Sequence, residues 1–483
     1  AAAEPGPGML RFSKTTTGTV LFVLDTVLIL AVWPAVLLLS RLDIRSLFAF
    51  HMLAAPSDAR GLIYPVFDLL LLFAMGLYRR EAIVDTARSL TRVPLVVGMG
   101  AALAILLSLA QAQLVPSAAV PGGRDQTVLF SLALVTFTCC AFLARLVIDV
   151  MVRSRILRRR LLVVGAGQRA WDLLHMLGRE GSSLHDDVTL MHDAQEAVDP
   201  RLLTERPDRI LCPPGFDIAA AARQVHADLI IVAPDERRGM NLERLLDCKR
   251  AGFPVIPYLS FVEREIRRID LKRMELGWLV YTDGFTFGAL DRFLKRGFDL
   301  AISLVVLLLT APLIGAGMLA IKWESPGPVL YRQERVTLDG RIFSILKLRT
   351  MRVNAEAQGA VWAREKDNRI TRVGSFLRRT RVDELPQVVN ILLGEMSFVG
   401  PRPERPVFVK ELVEKIPLYN ERHMVKAGLT GWAQINYPYG ASIDDARSKL
   451  SYDLYYVKNF SILFDLVILL QTLRVVLWPS GVR

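Results

Sequence analysis

The sequence predicts a mixed membrane protein in three parts: an N-terminal four-helix transmembrane bundle, a Rossmann-like α/β domain, and a C-terminal α/β domain with a re-entrant membrane helix and an interfacial amphipathic helix. Three observations predict it. Hydrophobic residues make up 52% of the 483, above the usual soluble value, and many fall in long apolar runs before residue 152. A strand, a glycine-rich turn and a helical pattern come next. Another long apolar run and a polar-interrupted one then bracket a basic stretch of soluble character. The length suits about three domains, each able to bury a core.

Lysine and arginine number 60 against 48 aspartates and glutamates, a formal net charge of +12. That balance favours anionic partners such as phosphates or acidic lipid headgroups. No recognisable nucleic-acid module accompanies the charge, so nucleic acid is not an expected partner. Cys139, Cys140, Cys212 and Cys248 show neither ligand spacing nor a disulfide framework, which suits a reduced, cytosol-facing protein. The opening "AAAEPGPG", residues 1–8, reads as an expression scar ahead of a natural start at Met9.

The bundle is expected over residues 9–152, with apolar runs at 20–40, 61–78, 93–115 and 128–150. Each approaches the length that crosses a hydrocarbon core of roughly 30 Å, the second being short. Arg11 and Lys14 precede the first run, and Arg79, Arg80, Arg88 and Arg92 separate the second from the third. Arg153, Arg155, Arg158, Arg159 and Arg160 follow the fourth, whereas the opposite loops carry only Arg41, Arg45, Arg60 and Arg124. The positive-inside rule therefore puts both ends of the bundle in the cytoplasm. Asp25 and Asp68 lie within spans; placement near a helix end or between helices explains them better than a transport pathway, and no transporter signature is present.

Residues 153–285 are expected to form the Rossmann-like cytosolic domain. "RLLVVGAGQRAWDLLHML" reads as strand, turn and helix, with Gly165, Gly167 and Ala170 in a G-x-G-x-x-A spacing. Buried strands are expected at 227–234 and 252–258 with a helix between them, the alternation of a parallel sheet. The glycines suit a dinucleotide pyrophosphate, but no clear acidic residue ends a second strand at the required distance. A structural or regulatory role is preferred over a working cofactor site.

Residues 286–483 form the third part. The apolar run 298–321 would be roughly 36 Å long as a straight helix, enough to span. Pro312 in its middle removes a backbone donor. Lys295 and Arg296 before it and Lys322 after it place positive charge at both ends. A crossing would carry the basic remainder of the chain outside, against the charge rule. A re-entrant helical hairpin over about 292–322 satisfies both facts; a fifth span is the competing reading. Near the C-terminus, Asp465, Gln471 and Arg474 interrupt an apolar run at 459–478, which suits a helix lying at the membrane surface.

Within "RRTRVDELPQVVNILLGEMSFVGPRP", Asp383 and Glu384 stand side by side with Arg378, Arg379, Arg381 and Arg402 close in sequence. The plain reading is a helix start, Thr380 and Asp383 fitting a capping pattern and Pro386 the first turn. The functional reading is phosphate chemistry. Helix N–H groups and arginine forks attract an anion, and the cations should lower both carboxylate pKa values. Adjacent helical residues point about 100° apart, so the pair suits divided labour rather than a face-to-face dyad. One carboxylate can attack phosphorus while the other holds Mg²⁺ against a diphosphate. In "GPRP", flanking prolines stiffen the turn that carries Arg402.

The motifs "LKRGFD", "RIFSILKLRTM", "RVDELPQVVNILLGEMSFVGPRP", "GLTGWAQIN" and "YDLYYVKNFS", in this order over nearly 200 residues, resemble the bacterial sugar transferase family, the monotopic phosphoglycosyl transferases. Four spans and a Rossmann-like domain ahead resemble its large members, and "YPYGAS" resembles an exopolysaccharide- and exosortase-associated subgroup. The resemblance implies a bacterial inner-membrane enzyme, its catalytic domain facing the cytoplasm. It would transfer a sugar-1-phosphate, glucose-1-phosphate in this subgroup, from a UDP-sugar to undecaprenyl phosphate in the first membrane step of exopolysaccharide synthesis. Asp383 would attack the β-phosphate, release UMP and carry the phosphosugar, and Glu384 would bind Mg²⁺. Arg378 and Arg402 match positions that engage phosphate and nucleotide; Lys295 and Arg296 match a basic pair suited to the polyprenyl phosphate head. Lys347, Arg349 and Asp453 match further motif positions, and a homodimer is expected.

Three departures stand out. Ala311-Pro312 replaces Ser-Pro, Thr337 replaces a glycine, and "KAGLTG" replaces a run with Arg-Pro-Gly. The alternatives from other classes are a nucleotide- or NAD-sensing membrane regulatory protein, and a nucleotide-sugar oxidoreductase or epimerase. The last lacks a Tyr-x-x-x-Lys pair near the glycine-rich turn.

Overall fold

A computed structural model describes residues 17–41, 63–79, 89–100, 123–154, 159–179, 187–192, 197–205, 207–236, 241–274, 288–353, 369–437 and 442–477, with a few isolated positions between them. The chain divides into two compact units, 1–258 and 259–483. Residues 259–274 are tied to the second unit: Ile269 N–H donates to Ser451 O, the Arg267 carbonyl accepts from Trp432 Nε1 at 2.9 Å, and Glu263 pairs with Lys458 at 2.7 Å.

In the first unit, helices α1 (Thr17–Arg41), α2 (Ile63–Ala74) and α3 (Gly123–Arg153) cover the first, second and fourth expected spans. Residues 89–100 are helical at the start of the third, whose remainder lies outside the described residues. Leu21 of α1 packs against Ala144 and Ile148 of α3. Between these helices Asp25 and Arg145 form a buried ion pair at 3.1 Å, so Asp25 faces a helix neighbour, as expected. Among the described residues, two helical segments are long and apolar enough to cross a membrane: Val135–Arg153 and Ala289–Glu324.

The same unit holds a five-stranded parallel sheet in the order β3-β2-β1-β4-β5: β1 (Arg160–Val164), β2 (Asp187–Met191), β3 (Ile210–Leu211), β4 (Leu229–Val232) and β5 (Val255–Pro257). The central strands β1 and β4 are apolar and almost wholly buried, as parallel strands covered on both faces must be, and the outer strands β3 and β5 are only partly buried. Helix α4 (Gln168–Arg179) follows the glycine-rich turn. The position where a pyrophosphate would sit is filled from within. Asp235, just after β4, accepts hydrogen bonds from the first-turn amides of Gln168 and Arg169 at 2.7 and 2.8 Å. A Cβ at Gly167 would overlap that carboxylate, so the glycine makes room for Asp235.

The second unit is α/β with little sheet. Strands β6 (Leu330–Val336) and β7 (Ile342–Leu348) pair antiparallel; β8 (Ser397–Val399) and β9 (Gly428–Thr430) pair in parallel. Around them lie α7 (Ala289–Glu324), α8 (Arg372–Arg379), α9 (Gln387–Leu393), α10 (Pro406–Lys415), α11 (Trp432–Asn436), α12 (Ile443–Lys458) and α13 (Ile462–Leu477), numbered after α5 (Ile218–Gln224) and α6 (Leu242–Arg250) of the first unit.

Helix α7 covers the segment expected to be re-entrant: 36 residues of helix with Pro312 inside it. Pro312 is exposed, and the hydroxyl of Thr310 donates to Val306 O at 2.7 Å, one position before the serine that Ala311 replaces. The helix lies against its own unit along its length. Asp299 accepts from Ser397 Oγ and Phe398 N–H, Ile302 and Val306 pack on the core, and Ile314 and Ile321 meet Leu348 and Leu377. Leu304, Val305, Leu308, Leu309 and Leu313 form the exposed apolar side. Helix α13 repeats the arrangement. Its polar interruptions Asp465 and Gln471 are buried, while Leu463 and Leu466 are exposed. The polar groups face protein and the apolar groups face out.

Candidate active site

Lys347 sits near the end of β7, and α9 is fixed against that strand by a side chain that sequence reading missed. Asn390 Oδ1 accepts from Leu346 N–H at 2.9 Å, and its Nδ2 donates to Ser344 O and Glu395 Oε2. Arg296 closes the other end of α9 by donating to the Ile391 and Leu392 carbonyls at 2.6 and 2.7 Å. Both carbonyls lie in the last turn of α9, where a cation is favoured, and Ile391 O also accepts the Gly394 N–H.

The Asp-Glu pair precedes α9 in a tight turn. Helix α8 ends at Arg379, Thr380 is its C-cap, Arg381 is left-handed with φ 58°, and Val382–Glu384 form a 3₁₀ turn. The capping reading of Thr380 is thus overturned. Its hydroxyl donates back to the last-turn carbonyls Phe376 O, which also accepts the Thr380 N–H, and Leu377 O. The amides of Glu384 and Leu385 are spent inside the turn on Arg381 O and Val382 O.

Arg402 arrives from the other side. Gly400 and Gly428 let the backbones at the ends of β8 and β9 approach so closely that a Cβ on either would overlap the facing main chain. From the Pro-Arg-Pro turn beyond, Arg402 Nη2 donates to Glu384 Oε1 at 2.9 Å, and Lys347 Nζ donates to the same oxygen at 2.9 Å. Arg378 Nε donates to Thr350 Oγ1, and the charges of Lys347, Arg378 and Arg381 act on Asp383.

The two carboxylates differ in acidity. Burial raises the pKa of Asp383, and the adjacent Glu384 charge raises it further, more than Lys347, Arg378 and Arg381 lower it. For Glu384, burial also opposes ionisation, but Lys347 and Arg402 together hold its carboxyl well below the ordinary range. The expectation that the cations lower both is correct for Glu384 and wrong for Asp383, which is 8% exposed and lacks a direct ion pair among the described residues.

Lys347, Arg402, Asp383 and Glu384 therefore converge, with Arg378 nearby through Thr350. The other expected site residues have structural partners. Arg349 Nη1 and Nη2 donate to Pro326 O and Ser325 O, closing the end of α7. Lys295 pairs with Asp465 at 2.5 Å and donates to Val399 O, tying α7 to α13 and β8. With Arg296 on α9, both members of the basic pair are engaged by protein. Asp453 is buried and pairs with Arg422 at 2.8 Å. Thr337, the glycine replacement, accepts from Ala427 N–H and donates to Glu395 O.

The donor set fits a hard divalent cation shared with a substrate. Both cations approach Glu384 through Oε1, and Oε2 makes no hydrogen bond or ion pair with the described residues. Among those residues no three metal-ligating side chains cluster. Mg²⁺ is commonly held in this way, by one or two carboxylates plus substrate phosphates, without an all-protein cage.

The family model described as bacterial sugar transferase matches residues 290–479, which contain these groups. The exopolysaccharide production protein PSS of Rhizobium leguminosarum bv. phaseoli is 42% identical over 192 residues, 38% of this chain and 94% of that protein. The chain belongs to the bacterial sugar transferase family. Another relative of this sugar transferase is a UDP-N-acetylgalactosamine-undecaprenyl-phosphate N-acetylgalactosaminephosphotransferase of Aeromonas hydrophila, 46% identical over 242 residues, 50% of this chain and 56% of that protein. An undecaprenyl-phosphate glucose phosphotransferase of Komagataeibacter xylinus is 32% identical over 342 residues, 66% of this chain and 59% of the relative. The sugar transferase chain thus spans a little more than half the length of these two relatives.

Proposed function

We propose that the protein is a phosphoglycosyl transferase of the bacterial inner membrane that moves a sugar-1-phosphate from a UDP-sugar to undecaprenyl phosphate. The observation that carries this reading is the asymmetry of the pair: Glu384 is clamped by Lys347 and Arg402, while Asp383 beside it has no such clamp. A clamped carboxylate suits charge handling, and an unclamped buried one suits attack.

In the proposed reaction a carboxylate oxygen of Asp383 bonds to the β-phosphorus of the donor. The bond from that phosphorus to the bridging oxygen breaks, and its electron pair leaves on UMP. A phosphate oxygen of the polyprenyl acceptor then attacks the same phosphorus and returns the Asp383 carboxylate, giving a lipid-linked diphosphosugar. Mg²⁺ bound at Glu384 would neutralise diphosphate charge. Arg402 and Lys347 keep Glu384 ionised, and Arg378 supplies positive charge beside the nucleophile. Glucose is the first candidate sugar and N-acetylgalactosamine the second, following the names of the relatives. The exposed apolar sides of α7 and α13 support burial of both helices in the cytoplasmic leaflet, with α7 re-entrant and the acceptor head delivered to the interface.

The test is UMP release from UDP-glucose and UDP-N-acetylgalactosamine with Mg²⁺ and undecaprenyl phosphate. Wild type is expected to release UMP and Asp383→Asn to lose several orders of magnitude, as loss of a covalent nucleophile does. Equal rates in the two would reduce Asp383 to a structural residue.

A further inference from the structure

The Pro401-Arg402-Pro403 turn cannot hold itself, because two of its residues have no N–H. Its three successive carbonyls are instead held by donors from elsewhere in the unit. Pro401 O accepts from Gly428 N–H at 2.9 Å, Arg402 O from Arg422 Nη2 at 3.0 Å, and Pro403 O from Arg335 Nη1 at 2.9 Å. The middle one matters most, since it belongs to the residue whose side chain reaches Glu384.

Arg422 is 5% exposed and lies in the 3₁₀ turn Tyr419–Met424. Its Nη1 donates to Tyr419 Oη at 2.6 Å, and its Nη2 pairs with Asp453 Oδ2 at 2.8 Å. Asp453, on α12, is 2% exposed. A buried guanidinium costs several kcal/mol in desolvation unless a countercharge and acceptors surround it. Asp453 provides the countercharge and Tyr419 Oη an acceptor, while Nε stays buried without a hydrogen bond among the described residues, so the fork is held by its two Nη groups and aimed at one backbone carbonyl.

We propose that Arg422, oriented by Asp453 and Tyr419, is a positioning residue that sets the Pro-Arg-Pro turn so that Arg402 meets Glu384. Asp453 then acts two contacts away from Glu384, through Arg422 and Arg402, rather than on the donor. This inference rests on the proposed function only for its kinetic arm.

The kinetic arm is a double-mutant cycle on UMP release. Arg422→Lys keeps the charge but loses the fork, and it is expected to lower kcat/KM about 10- to 100-fold, as loss of an outer-shell partner does. In an Arg402→Ala background the same change should cost no more than about 2-fold, because coupled residues are not additive. Additive losses would overturn the relay while leaving the transferase reading intact. Asp453→Asn serves as the second variant should Arg422→Lys fold poorly, with the same expected pattern.

The other arm needs no activity. Hydrogen exchange on the full-length protein should show faster exchange at Gly400, Gly428 and Val336 in Arg422→Lys, since their amides bond across this turn and its base. Arg402→Ala should leave them protected. Unchanged exchange in Arg422→Lys would overturn the proposal. If wild type releases no UMP from any UDP-sugar, the proposed function fails, and the exchange result alone decides the relay.

Discussion

Asp383 and Glu384 are neighbours in sequence with opposite acidities, and the cause is which of them receives the cations. Lys347 from β7 and Arg402 from the proline turn both reach Glu384, leaving Asp383 buried beside a fixed negative charge. Two consequences are measurable. In the proposed mechanism Asp383 must be ionised to attack, so activity should fall as pH drops through its raised pKa, an acid limb above the ordinary aspartate value of about 3.9. A limb at or below that value would contradict the burial argument. The linkage sign is equally definite. A carboxylate with a raised folded pKa costs stability once it ionises, so neutral Asp383→Asn should be more stable than wild type near neutral pH, on the order of 1 kcal/mol. That advantage should shrink as acid protonates Asp383 in the wild type. Thermal melts across pH would show it, and a destabilised Asn variant at neutral pH would refute it. The carboxylates and their cations were legible as residue types. Their unequal acidity was not, because it depends on which cation the tertiary fold delivers to which oxygen.

At the scale of elements, α7 shows what hydropathy can and cannot reveal. The apolar run, the proline and the flanking charges predicted a re-entrant segment, and that segment is helical over all 36 residues, Pro312 included. Pro312 lies on the exposed side, and the helix is held from the other side by Asp299 before it and by Ile314 and Ile321 after it. Gly317 marks the tightest point of that contact: a Cβ there would come within 2.9 Å of Leu348. The polar residues Asp299, Asp465 and Gln471 of α7 and α13 point into protein. One-dimensional periodicity does not say which side of a helix meets lipid. The proposed re-entrant placement predicts that single cysteines at Arg292 and Lys322, in a chain with its four native cysteines replaced, react with an impermeant maleimide from the cytoplasmic side only. Labelling of the two from opposite sides would establish a crossing helix instead.

At the scale of the whole molecule, the two compact units differ in how their motifs were spent. In the second unit the quoted motifs became structure around one site. The glycines of "FVGPRP" and "GLTGW" allow the close backbone approach, Asn390 of "VVNILLG" pins α9 to β7, and Arg402 stands on the result. Arg422 was passed over, since a lone arginine in "NERHM" carries no local signal until Asp453 is folded against it. In the first unit the parallel sheet was legible from strand–helix alternation, but the G-x-G-x-x-A turn is occupied by its own chain. Asp235 takes the first-turn amides of α4 that a pyrophosphate would need. A dinucleotide would have to displace a tethered carboxylate and bring its own negative charge beside it. Millimolar NAD⁺ is therefore expected to leave the thermal melt of the wild-type protein unchanged, whereas a ligand bound at a hundred times its Kd would stabilise it by about 2.7 kcal/mol. Asp235→Ala removes the acceptor of two helix-start amides and should cost roughly 0.5–2 kcal/mol, the usual loss on removing an N-terminal cap. A saturable NAD⁺ shift in the wild type would refute self-occupancy and make the N-terminal unit a sensor attached to a transferase. A stabilised Asp235→Ala variant would show that the carboxylate strains the turn it was thought to close.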